Sequence, residues 1–357
     1  MDLETIEILF RCGKFFAITP YSCIRRGTNT FQRCHSFLVF TLYTAGFVTV
    51  WYISRSRYST MRRIQAFLTV LSILTSYFLN FYILVVVMGL NSDRWHRLIA
   101  GLESIKVPQT NKKLLRILKL VLLIFLLITI FGQSGIFYNF NIGGCLILLP
   151  LTLSTYSQFI YSLCACTVLK VLLTRYQHHK NMLVQAVDSK ELVKVLKQIK
   201  QGVLTLKRCV NVFNSIFGWT ILGSTFRGAL SSFVHIDLAI KDETYFANLW
   251  SDLGLRFYFF VEIAFLLLLW VGLAIAILLC DQILKEYDQL LDLAWKLEAS
   301  LSTPTSQEIR QIKIFINFLQ GNRPRFVAAR FFTIDKSTLF KMLNTSITFL
   351  LVIIQFD

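Results

Sequence analysis

Near the carboxyl end of the sequence, Lys341, Asn344, Thr345, Thr348, Val352 and Gln355 recur at helical spacing in a stretch that is otherwise apolar. On a helix beginning near Ser337 these positions fall close to one side. A polar stripe of this kind suits a water-filled conduit, with Val352 as an apolar constriction that dewets when shut. The same Thr348 and Gln355 side chains could instead hydrogen-bond neighbouring helices inside a bilayer. Lys341 would sit at one mouth of the conduit, where a ring of ammonium groups opposes cations unless it turns toward headgroups or carboxylates. Whether it faces the pore stays open, and ion selectivity is not legible.

Two further charges stand in apolar surroundings, Arg227 and Glu262. An unpaired charge at membrane depth is costly, so such residues usually find a partner or a hydrated cavity. Two readings follow: the two pair with each other in a structural role, or they face a wet pocket and take part in ligand binding. Metal and catalytic chemistry find no support. Cys164 and Cys166 point to different sides of a helix, His178 and His179 are adjacent, and there is no HExxH pair, CxxC arrangement or phosphate-binding glycine loop. The expectation is no enzyme, no cofactor and no metal.

The elements that must position these residues are set by composition. The chain has 357 residues, 55% hydrophobic and only 16% charged, with 32 Phe and a net charge of +17. Such a chain is too apolar for an ordinary soluble protein. A bilayer core of roughly 30 Å asks for about 20 apolar residues per helix. Seven segments approach that length: Ser36 to Ile53, Ala66 to Leu90, Leu120 to Phe137, Cys145 to Leu173, Cys209 to His235, Phe257 to Cys280 and Thr338 to Phe356. Residues 138–144, Tyr-Asn-Phe-Asn-Ile-Gly-Gly, read as a tight turn between the third and fourth.

The basic residues collect in alternate connections, as in a membrane protein and unlike a nucleic-acid groove. Segments 1–35, 91–115, 174–208 and 281–337 hold 26 Lys plus Arg, against 6 in segments 54–65, 138–144 and 236–256. The expected fold is therefore all-α and polytopic, with seven transmembrane helices, a cytoplasmic N-terminus and an extracellular C-terminus. Residues 1–18 carry Asp2, Glu4 and Glu7 before Arg11 and Lys14, which is not the pattern of a cleavable signal. They read as a short helix at the cytoplasmic interface. Apolar periodicity from His178 to Lys207 and from Gln282 to Leu301 predicts helices that extend the fourth, fifth and sixth spans into the cytoplasm, and a further amphipathic helix covers Gln307 to Gln320.

The chain closes on Thr348, Phe349, Leu350, Leu351, Val352, Ile353, Ile354, Gln355 and Phe356. This resembles the insect gustatory receptor family, within the insect chemoreceptor superfamily, whose last helix ends in Thr, Tyr, five hydrophobic residues, Gln and Phe. Phe349 replaces the Tyr. Residues 329–339, Ala-Arg-Phe-Phe-Thr-Ile-Asp-Lys-Ser-Thr-Leu, are similar to the family segment before that helix, with Arg330 where Gly is usual. Phe10 through Pro20 is a weaker match to the family's opening.

The resemblance implies a ligand-gated, non-selective cation channel of four subunits around one pore, with homo- or hetero-tetramers of gustatory receptor subunits. It implies four regions: a cytoplasmic segment (1–35), six transmembrane helices with an outer ligand pocket and cytoplasmic extensions (36–280), cytoplasmic anchor helices (281–337) and a pore-lining seventh helix (338–357). The seventh helix would be split, its first part running from Glu308 to about Arg330. Pore residues would be Thr348, Val352 and Gln355. Pocket walls in the outer half would come from Tyr77, Phe78, Gln133, Tyr138, Tyr156, Gln158, Phe159, Trp219, Phe226 and Tyr258. An aromatic pocket with few polar partners suits a small organic tastant, bitter-type or orphan, over a sugar. Partners would be that tastant, monovalent and divalent cations and membrane lipid, but not nucleic acid, and the location a plasma membrane, on a sensory neuron dendrite. Alternatives are an accessory subunit of a heteromeric taste receptor or a G-protein-coupled receptor. The latter conflicts with the charge count and with the lack of an Asn-Pro-x-x-Tyr seventh span.

Overall fold

Long apolar runs in lipid must satisfy their backbone polar groups internally, and helices do so within each segment. The computed structural model describes residues 3–20, 30–60, 63–105, 112–186, 191–241, 253–300 and 306–338, with positions 340, 341, 344, 345 and 348. In it α1 is Leu3–Phe15, α2 Thr30–Thr60, α3 Arg63–Phe81, α4 Asp93–Glu103, α5 Lys112–Ala186, α6 Leu192–Lys241, α7 Leu253–Ser300 and α8 Ser306–Gly321. A nine-residue π-helical segment, Tyr82–Leu90, continues α3. Strands β1 (Val327–Ala328) and β2 (Phe332–Thr333) pair antiparallel, Val327 opposite Thr333. This small ladder is the departure from the all-helical expectation among the described residues. The described positions from 336 onward are helical, and Ile334 and Asp335 just before them are not.

Among the described residues four stretches are long and apolar enough to cross a bilayer: Thr30–Tyr52, Arg63–Leu90, Leu149–Ala186 and Phe259–Ala299. Their outward faces match that solvent. On α7, Leu267, Val271, Ile275 and Leu278 form an exposed apolar stripe at steps of four and three, a face that only acyl chains or another chain would cover.

The backbone of α5 is helical over 75 residues, yet the rings of Phe125 and Phe159 stack with centroids 3.7 Å apart. A straight helix would hold these residues about 51 Å apart at 1.5 Å per residue. The chain therefore doubles back between them, and α5 consists of two antiparallel arms. The reversal agrees with separate third and fourth apolar segments. Residues 138–144, expected as a tight turn between them, lie in the stretch where the chain reverses and are helical in backbone.

Beyond the apolar spans the helices run on without a break, as their periodicity predicts. Along α6, Ile199, Val203, Leu206, Val210, Phe213 and Phe217 are fully buried at steps of three and four. Ile283, Tyr287, Leu290 and Ala294 of α7 and Ile312, Phe315 and Leu319 of α8 join the same core. The Tyr287 hydroxyl donates to the Leu319 carbonyl at 2.6 Å, tying α7 to the last turn of α8. Buried Arg175 donates from Nε (2.9 Å) and Nη2 (2.5 Å) to the Leu102 carbonyl at the end of α4. That places a cation on carbonyl groups the helix cannot satisfy itself.

Helix α8 stops at Gly321. The first part of the split seventh helix was expected to reach Arg330. It falls short because Pro324 has no N–H to continue the ladder and because Asn322 turns its side chain back to the Phe318 carbonyl at 2.8 Å.

The N-terminal helix α1 forms as expected and ends in a Schellman cap. Ile18 N–H donates to Gly13 O at 2.9 Å and Ala17 N–H to Lys14 O at 3.1 Å, with Ala17 at φ 56° where glycine is usual. Its apolar side is buried: Phe10 meets the edge of Trp95 at 5.5 Å and Phe16 meets Tyr156 at 5.2 Å.

Candidate functional site

Ser76 and Asn80 are one turn apart on α3, and Ser154 and Gln158 one turn apart on the second arm of α5. These four polar residues face each other within apolar spans. Asn80 Nδ2 donates to Ser154 Oγ at 2.5 Å and to Ser76 O at 3.0 Å. Gln158 Nε2 donates to Ser76 O at 3.1 Å and Oγ at 3.2 Å. The amide of Gln158 is thereby oriented so that its Oε1 accepts from Nη1 of Arg227 on α6. Glu262 on α7 lies within electrostatic reach of the same guanidinium.

Arg227 and Glu262, which the sequence offers as a charge pair, and Gln158, which it offers as a pocket wall, thus come together, and the Arg227 hydrogen bond goes to the amide. Ser76, Asn80 and Ser154 were not singled out, although polar pairs at i and i+4 in apolar spans are the signal that would find them. The Oδ1 of Asn80 is buried and has no donor among the described residues. A carbonyl oxygen left unsatisfied at this depth is costly unless a water or ligand donor meets it.

The aromatic candidates divide among separate clusters. Tyr77 packs on Phe40 and Phe47 of α2, at 5.6 and 5.0 Å, while Phe78 is mostly exposed. Tyr156 and Phe159 stack around Phe125 on the other arm of α5. Trp219 is half exposed and lies between Tyr82 (6.5 Å) and Phe331 of the hairpin (6.1 Å). Phe226 is half exposed on α6. The side chains of Gln133, Tyr138 and Tyr258 lie outside the described residues.

The start of the last helix is held by the β1–β2 hairpin. Ala329 (φ 49°) and Arg330 (φ 66°) occupy its two turn positions in the left-handed region, the geometry of a primed hairpin turn, closed by Phe331 N–H to Ala328 O at 2.9 Å. The hairpin seats on α6. Asn214 Nδ2 donates to Arg325 O at 2.8 Å, and its Oδ1 accepts Val327 N–H at 3.2 Å. One turn along, a Cβ on Gly218 would stand 2.9 Å from the Ala329 backbone nitrogen, so only glycine permits this approach. Asp335 then caps the last helix: Oδ1 accepts from Thr338 N–H and the Ser337 hydroxyl at 2.9 Å each, and Oδ2 from the Thr333 hydroxyl at 3.1 Å. Partial burial pushes the carboxyl upward, but these hydrogen bonds outweigh it and hold Asp335 below its ordinary value.

Lys341, Asn344, Thr345 and Thr348 are all exposed on that helix, and the Thr348 hydroxyl turns back to Asn344 O at 3.0 Å. Val352 and Gln355 lie outside the described residues. Among the described residues no group of three His, Cys, Asp or Glu could hold a metal ion.

Long apolar helices whose extensions pack into the shared core, and a last helix hung from a capped hairpin, define a polytopic helical membrane fold. The sequence profile of the 7tm chemosensory receptor family matches residues 6–357, and the chain belongs to that family. In fold it is similar to the insect olfactory receptor OR5 from Machilis hrabei, with a TM-score of 0.63, 17% identity, 99% of this chain and 98% of that chain covered. The same receptor in complex with eugenol superposes with a TM-score of 0.65 at 17% identity, covering 99% and 97%. No curated protein sequence matches at a significant level. The family is thus wider than the gustatory branch that the closing motif resembles.

Proposed function

We propose that the chain is a gustatory receptor acting as a ligand-gated, non-selective cation channel of the plasma membrane, with seven spans, an inside N-terminus and four last helices around one pore. The observation that carries this reading is the continuous path along α6. The helix that presents Arg227 to the polar network also clamps, through Asn214, the hairpin from which the last helix starts. A ligand that changes the Arg227–Gln158 contact therefore acts on the element that sets the tilt of the last helix. Exposed Asn344, Thr345 and Thr348 on a membrane helix call for water or a second subunit, and four copies around an axis supply both.

The ligand class is a small organic molecule with at least one hydrogen-bond donor, because Asn80 offers, within an apolar span, a carbonyl oxygen with no donor among the described residues. The similar fold solved with eugenol supports a ligand of this size and chemistry. The test is whole-cell recording from cells expressing the chain, scaled to surface protein, with imaging of the purified particle. Ligand-evoked cation current from a four-fold particle is expected, with Val352→Ala raising basal current and Gln355→Ala altering permeation. Surface expression without current from the chain alone, but with current beside a second receptor subunit, would assign the accessory role. A monomeric particle would remove the channel.

A further inference from the structure

A cleft of about 330 Å³ opens between α1, α2 and the second arm of α5. One end carries Lys14, in the last turn of α1, and His35, at the start of α2, just before the apolar part of that helix. The other end carries Val39 and Leu42 together with Leu153. His35, Val39 and Leu42 stand at i, i+4 and i+7, so one face of α2 runs from polar to apolar over about 10 Å at 1.5 Å per residue. Among the described residues no carboxylate lines the cleft, and Arg11 and Arg33 are exposed on the same two helices.

We propose that this cleft binds one anionic glycerophospholipid, its phosphate against Lys14 and His35 and its acyl chain along Val39, Leu42 and Leu153. A small water-soluble anion would satisfy the basic end and leave the apolar face bare. A neutral hydrocarbon would do the reverse. An anionic amphiphile satisfies both, and the membrane boundary at the start of α2 is where its headgroup lies.

The site is built and not a passing contact. The Schellman cap at Ala17 and the Thr19 hydroxyl bond to Phe10 O at 3.0 Å fix the end of α1, and Gly13 is pressed against Thr19 with no room for a Cβ. Lys14 is therefore held over the cleft. On the apolar side Leu42 is 47% exposed and Leu38 66% exposed, so the cleft opens toward lipid. The proposal holds whichever way the last helix is used.

The test is native mass spectrometry of the full-length protein in non-ionic detergent, with phosphatidylglycerol and phosphatidylcholine of identical chains. One phosphatidylglycerol per chain should persist after annular lipid is stripped, with phosphatidylcholine held about tenfold less well. Lys14→Glu should lower phosphatidylglycerol occupancy by about tenfold or more, in line with one basic residue near the surface contributing a several-fold attraction and its reversal a further repulsion. Lys14→Arg should retain the lipid, and Leu42→Ser, on the exposed face, should weaken both lipids. Size exclusion confirms folding of each variant, and Lys14→Gln replaces Lys14→Glu where the latter aggregates. Equal retention of the two lipids, unchanged occupancy in a folded Lys14 variant, or displacement of the lipid by millimolar inorganic phosphate would overturn the proposal.

Discussion

The side-chain amide of Asn214 pairs with the backbone on both sides of Phe326, accepting from Val327 N–H and donating to Arg325 O. It acts as a short third strand beside β1, contributed by a helix. Asn214→Ala removes both bonds and leaves two backbone groups to find water, which costs about 1–3 kcal/mol. The expected outcome is a right-shifted ligand response at unchanged surface expression, measured by current against concentration.

Gly218→Ala should lower the melting temperature of the detergent-solubilised protein. The added Cβ meets Ala329 N at 2.9 Å and Val327 O at 3.1 Å, and backbone atoms cannot swing aside as a flexible side chain can. Overpacking of this kind costs typically about 1–3 kcal/mol. Fluorescence-detected size exclusion after heating reads the shift.

Arg330→Gly should raise the same melting temperature. At φ 66° an L side chain costs about 1–2 kcal/mol, and glycine returns part of that through the greater freedom of the unfolded chain. A net gain of about 0.5–1 kcal/mol is the expectation. A loss would show that the Arg330 side chain makes contacts that outweigh its strain.

Arg227→Met and Glu262→Gln should each destabilise the protein more than the two together do. Either single change leaves the other polar side chain with a poorer partner among apolar helices. A double-mutant cycle on thermal stability should give a coupling of about 0.5–3 kcal/mol. Gln158→Leu, which takes away the acceptor of the Arg227 bond, should be at least as harmful as Arg227→Met.

Acid should loosen the start of the last helix through Asp335. Its carboxyl sits below the ordinary value of 3.8, so its contribution is fully present above that value and is lost as pH falls through the lower, folded one. Parent protein should therefore lose stability as pH falls below about 4, and Asp335→Asn should flatten that slope while lowering stability at neutral pH. Melting temperature against pH checks both.

Much of this architecture was legible in the residues. Apolar periodicity continued past the spans at Leu183 to Leu206 and Ile283 to Leu297, and Leu183, Leu196, Ile199, Val203, Leu206, Ile283, Leu290, Ala294 and Leu297 of that pattern are buried. Pro and Gly marked the end of α8 closely. The hairpin was not legible, because Ala329 and Arg330 carry no turn signal and adopt the left-handed region only under tertiary constraint. Arg227 and Glu262 were visible as charges out of place, but the amide between Arg227 and α3 could not be read from them. It depends on α3, the second arm of α5 and α6 meeting in the fold. The aromatic wall was the weakest reading, since rings serve helix packing and lipid exposure as readily as a pocket, and the structure divides them among separate clusters.

The π-helical segment Tyr82–Leu90 has an implication for how length can vary in this lineage. Each i→i+5 turn takes up more chain than an α turn, and one extra residue rotates everything beyond it by about 100°. The segment absorbs that offset between the face of α3 that carries Ser76 and Asn80 and the buried positions Val87 and Met88. A relative one residue shorter between Tyr82 and Leu90 is therefore expected to close the same stretch as plain α-helix and keep both faces in phase. Deletions should be tolerated there while single deletions elsewhere in α3 abolish expression.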